Sequence, residues 1–160
     1  MTRTTRILFS WMLLAFVPSP GPGQTAETAP PRSPVEIADA FVRATGPRKH
    51  NAMVYMTLTN KTGEDDKLTG AASPAAERVE LHIIASNRGL RRMHEIEEIR
   101  LPSHTPVALT PGNYHLMLIG LKAPLEAGTE VPMKLHFAKA PPMAITVKVV
   151  EFGARRKTKE

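Results

Sequence analysis

The sequence contains no cysteine. That excludes disulfides, thiolate metal sites, covalent haem attachment and a cysteine nucleophile at a stroke. Aromatic residues are scarce, at 5% of 160 residues. The longest apolar run is Ile7 to Val17, broken only by Ser10. It is too short to span a bilayer as a helix. No long segment carries the 3.6-residue periodicity of an amphipathic helix. No P-loop, no G-x-S-x-G elbow and no dinucleotide fingerprint occurs. A single sign of charge is also missing from the body of the chain. The formal net charge is +6, but Arg3 and Arg6 supply two of those charges and the tail from Arg155 to Glu160 a net three. What remains, about +1, is no footprint for nucleic acid.

Proline and glycine are plentiful, at 15 and 10 residues. Each ends or breaks helices, so the composition favours short strands joined by turns. Residues 1–26 have the layout of a secretory signal: Arg3 and Arg6, the apolar run, then Pro18 to Gly23 and a small residue at Ala26. With no lipobox cysteine, this leader does not read as that of a bacterial lipoprotein. Residues 27–34 read as a linker, 35–152 as one β-domain and 153–160 as a basic disordered tail. An exported domain of this size without disulfides relies on its core.

Strand signals follow from Val35 onward. Val35 to Val42, Met53 to Asn60, Leu68 to Ala72, Arg78 to Ile84, Leu90 to Ile99, Val107 to Leu109, Tyr114 to Gly120, Val131 to Ala138 and Met143 to Phe152 are the predicted strands. Pro74 to Glu77 is expected to make one helical turn. In Arg78 to Ile84, Val79, Leu81 and Ile83 share one face, with Glu80, His82 and Ile84 on the other. The same alternation sets Tyr114, Leu116 and Leu118 against His115, Met117 and Ile119. About eight or nine short strands with turns roughly every ten residues predict an all-β sandwich or Greek-key barrel.

Four residues carry the chemistry. His115 and Met117 lie two apart on one strand and point the same way. His82 lies on a second strand, and Met93 returns beside it through the turn at Asn87-Arg88-Gly89. Thioether sulfur is soft and uncharged; it suits copper(I) and is a poor ligand for zinc, magnesium or calcium, while imidazole suits copper in either state. The thiolate-dependent blue-copper arrangement is excluded by the missing cysteine. Taken one at a time these side chains are ordinary: a strand methionine usually fills a core, and Met53, Met56, Met133 and Met143 are expected to be core or rim. Glu95, Glu97 and Glu98 fit a solvated strand better than a catalytic carboxylate pair.

The order His82, ten residues, Met93, twenty-one residues, His115, one residue, Met117 resembles the motif of the periplasmic copper chaperones of the PCuAC type. The flanking segments Val54 to Asn60, Glu64 to Leu68, Ala72 to Ala76, Val79 to His82 and Pro111 to Lys122 are similar to that family as well. The resemblance spans about residues 35–151. It implies a cupredoxin-like β-barrel, copper(I) held by His82, Met93, His115 and Met117, no enzymatic activity, and delivery of copper toward the CuA centre of cytochrome c oxidase, to subunit II or to another copper chaperone. Where many members carry further methionines, this sequence has Ile83-Ile84 and Arg91. Two other readings compete: a copper-dependent redox enzyme, and a β-sandwich interaction module whose metal site has decayed.

Overall fold

A computed structural model describes residues 33–151 apart from Arg88. The expected signal segment, most of the linker and the basic tail lie outside the described residues. The strands are β1 (Val35–Arg43), β2 (Asn51–Asn60), β3 (Asp66–Ala72), β4 (Ala76–Asn87) and β5 (Leu90–Ile96). They are followed by β6 (Ile99–Leu101), β7 (Pro106–Leu109), β8 (His115–Leu121), β9 (Glu130–Phe137) and β10 (Met143–Val150). No helix occurs among the described residues. Two segments depart from expectation. Ala76 and Glu77 already belong to β4, and only Pro74 and Ala75 turn. The run from Leu90 to Ile99 divides at a bend at Glu97, so ten strands form where eight or nine were expected.

Seven strands close a ring in the order β4-β8-β2-β1-β10-β9-β3, with β3 returning to β4 through Ala71 opposite Val79. Closure removes the exposed edges that an open sheet of this size would carry. β5, β6 and β7 lie outside the ring, on β4, β3 and β2. The β1–β10 pairing is parallel, and the other pairings within the sheet are antiparallel. β1 shifts register between Ala38 and Phe41, where Asp39 has a φ of 55°. An irregularity of this kind bends a strand at a barrel corner.

Period-2 alternation fills the interior. Leu116 and Leu118 of β8 and Leu81 of β4 are buried, as are Val131, Met133 and Leu135 of β9 and Val147 and Val149 of β10. Leu58, Leu68, Ile99, Leu101 and Leu109 complete the apolar packing. At one end the buried Asp66 carboxylate accepts the backbone N–H groups of Lys67, Lys139 and Ala140 at 2.7, 2.9 and 2.9 Å. It ties the start of β3 to the β9–β10 connection. Asn60 does similar work, donating to the carbonyls of Glu64 and Leu101.

Candidate metal centre

The β5-β4-β8-β2 part of the sheet determines where the candidate ligands stand. His82 pairs directly with His115 across β4 and β8. Directly paired residues of an antiparallel ladder project to the same face. Since Leu81 and Leu116 form the adjacent pair and are buried in the core, the two histidines share the opposite face of the sheet. Met117 lies two residues beyond His115, opposite Glu80, on that same face. Met93 pairs with Ile84, and His82 with Glu95, so Met93 is the diagonal neighbour of His82 on the outlying strand. All four residues singled out by spacing therefore stand on one face of three adjacent strands.

The imidazole rings are 5.7 Å apart, edge to face at 61°. His115 is fully buried, and the His82 side chain is only 12% exposed. Met117 is half-buried. Met93 is 38% exposed and is the one candidate ligand that stands open to solvent.

Hydrogen bonds fix each ring through one nitrogen. His82 Nε2 lies 2.9 Å from a Glu80 carboxylate oxygen. Arg78, whose Nε donates to Glu80 at 2.6 Å, holds the Glu80 carboxyl below the usual carboxylate range, helped by His82. An ionised carboxylate can only accept, so Nε2 carries the proton, and in the neutral ring Nδ1 keeps its lone pair. His115 Nδ1 lies 3.1 Å from the Asn113 carbonyl, which also can only accept, leaving Nε2 as the basic nitrogen. Burial pushes the His115 pKa down, with the nearby His82 charge adding to this and the Asn113 bond opposing it. A neutral His115 is the form that can donate to a metal. His82 Nδ1 and His115 Nε2 are both buried and have no protein partner. A buried polar nitrogen with no partner is costly, and a metal ion is a group that would satisfy both.

Among the described residues no cluster of three histidine, cysteine, aspartate or glutamate side chains is placed to hold a metal. The donor set available here is two neutral nitrogens with thioethers, which fits copper(I) and does not fit hard cations. Outer contacts support the set. Arg91 Nη2 donates to the Gly112 carbonyl at 3.1 Å, tying the β4–β5 hairpin to the turn that leads into His115. Gly112 has a φ of 94°, a conformation open to glycine. Tyr55 sets its ring 6.4 Å from that of His115. Glu80 and Tyr55 were not identified by spacing. Glu80 could have been found as the same-face neighbour two residues before His82, whereas Tyr55 depends on the pairing of β2 with β8.

The family described as "Putative lipoprotein LpqE-like" matches residues 35–149. A Leifsonia xyli subsp. xyli (strain CTCB07) protein described as putative lipoprotein Lxx21020 is 31% identical over 166 residues, covering 96% of this chain and 95% of its own length. Among solved structures, the copper-bound PCuAC domain from PmoF2 superposes with a TM-score of 0.64 at 25% identity, over 74% of this chain and 93% of that domain. The solution structure of CuI-DR1885 from Deinococcus radiodurans gives a TM-score of 0.61 at 31% identity, over 78% of this chain and 85% of that one. The closed barrel is therefore of the cupredoxin-like type found in PCuAC domains, and the chain belongs to the LpqE-like family, the family of those domains.

Proposed function

We propose that this protein is an exported copper(I) chaperone that binds one ion through His82, Met93, His115 and Met117 and passes it on by ligand exchange. The observation that carries this reading is the pair of buried, unpartnered nitrogens, His82 Nδ1 and His115 Nε2, on rings whose other nitrogens are held by Glu80 and Asn113. The copper-bound PmoF2 domain and CuI-DR1885 support copper as the cargo and copper(I) as its state.

The graded exposure of the ligands suits transfer. Two buried imidazoles retain the ion, while the exposed Met93 on the outlying β5 can be displaced first by an incoming donor. Both thioethers are neutral, so their release leaves no buried charge behind. Copper(I) keeps its oxidation state throughout, and no proton needs to move. The protein is read as a carrier and not an enzyme. Its acceptor is the CuA site of cytochrome c oxidase subunit II or another copper chaperone, and the signal-like segment 1–26 supports a periplasmic location.

The test is to mix the copper(I)-loaded chain anaerobically with an apo, soluble CuA domain and to follow copper by size separation and metal analysis. Copper moving to the acceptor from the parent supports delivery. Copper that stays on the chain, with reductant-dependent oxygen uptake in air, contradicts the chaperone reading and favours the redox enzyme.

A further inference from the structure

The face that holds the two histidines continues one strand further, onto β2. Met53 pairs directly with Met117, so the two thioethers project side by side on the same face. The Tyr55 hydroxyl donates to Met53 Sδ at 3.2 Å, which fixes the sulfur in place. Sulfur has two lone pairs, and this bond uses one. Met53 is not a core residue: its neighbours Ala52 and Val54 point into the barrel and are buried, whereas Met53 is half-buried. With Met117 and Tyr55 it lines a cleft of about 590 Å³, which Arg43, Pro47 and Lys49 also line. An apolar space filler would not need an oriented sulfur at the mouth of an open cleft.

We propose that Met53 is a further thioether donor for copper(I), acting with Met117 on the cleft side of the histidine pair. The inference rests on the copper(I) reading above and extends it. Met93 and Met53 flank the histidines from opposite sides, on β5 and β2. As the bond to Met93 breaks, a bond to Met53 forms, and the ion keeps its full complement of soft ligands while shifting toward the cleft. Copper stays in the +1 state, and neither electron nor proton is exchanged. The cleft is then where the acceptor's own ligands meet the ion.

The experiment uses the chain labelled with 13C at the methionine methyl groups and loaded anaerobically with one equivalent of copper(I), which is diamagnetic. The Met53 methyl is assigned by its NOEs to the Tyr55 ring. It is expected to shift on loading together with those of Met93 and Met117, while the core residues Met56 and Met133 stay put. Competition against a copper(I) chelator should show Met53→Leu binding about tenfold more weakly than the parent. A Met53 methyl that does not move, or one that moves while Met53→Leu retains the parent's affinity, overturns the inference. If no methionine methyl shifts and the parent takes up no copper, the copper(I) reading itself has failed along with it.

Discussion

Each histidine of the pair is oriented by an acceptor of its own, and the two acceptors differ in kind. Asn113 uses a backbone carbonyl that substitution leaves in place. Glu80 uses a side chain, so its role can be removed cleanly. Glu80→Ala should weaken copper(I) binding by about tenfold with little change in stability, because an outer carboxylate sets the orientation and basicity of a ligating imidazole. A chelator competition alongside thermal melts checks this, and an unchanged affinity would mean that Glu80 serves only Arg78. Asp66 lies away from the site and bears on stability. Burial pushes its carboxyl up, but the N–H bonds from Ala140, Lys67 and Lys139 and the Lys139 charge outweigh this and hold it below its ordinary value. The unfolded chain takes up this proton near pH 4, before the folded one does. The contribution of Asp66 is therefore complete above about pH 4 and is lost as pH falls through the lower folded value. Asp66→Asn turns an NH2 group toward one of the three backbone donors and should cost about 1–3 kcal/mol at neutral pH. Urea titrations of both proteins would show it, along with a shallower loss of stability in acid for the variant.

At the scale of elements, the strands with clean alternation were legible in the sequence. In Arg78 to Ile84 and Tyr114 to Gly120 the two faces fall as a two-residue period requires, with Leu81, Leu116 and Leu118 inward. The spacing of His82, Met93, His115 and Met117 likewise drew attention to residues that fold onto one face. What was not legible depends on pairings between distant segments. Ala71 opposite Val79 closes the barrel, and nothing local in either strand specifies it. Met53 reads locally as one more strand methionine; only its register against Met117 sets it apart. Glu97 fell inside the expected strand Leu90 to Ile99, yet the chain bends there, with β5 paired to β4 and β6 to β3. Pro74 suggested a helical turn, but β4 is drawn into extension as far back as Ala76 by pairing with Leu121. β8 contains one demanding position. Gly120 has a φ of 67°, and a Cβ there would stand 2.5 Å from Glu77 Cδ. Gly120→Ala should destabilise the protein by about 1–3 kcal/mol, measured by urea denaturation; a neutral result would show that the end of β8 relaxes freely.

For the whole molecule, the candidate metal site is built from the wall of the barrel itself. His82, His115 and Met117 alternate with Leu81, Leu116 and Leu118, so the proposed ligands and the core residues share the same strands. Binding should therefore couple to global stability. A ligand that binds only the folded state stabilises it by about 2.7 kcal/mol when its free concentration is one hundred times Kd. Copper(I) loading should raise the Tm of the whole domain in a single transition, and a strong chelator should return it to the apo value. Zinc, which gains little from thioethers, should produce a much smaller shift. A chelator-reversible copper shift confined to a minor, separate transition would show that the site is not integral to the barrel.

The most direct measurement is an anaerobic copper(I) titration of the protein against a coloured chelator, with His82→Ala and His115→Ala run in parallel. The account predicts one tight equivalent in the parent and a large loss of affinity in both variants, with the barrel still folded. A folded parent that fails to compete for copper(I), or variants that bind as tightly as the parent, would contradict the claim that the two buried imidazoles form a metal site.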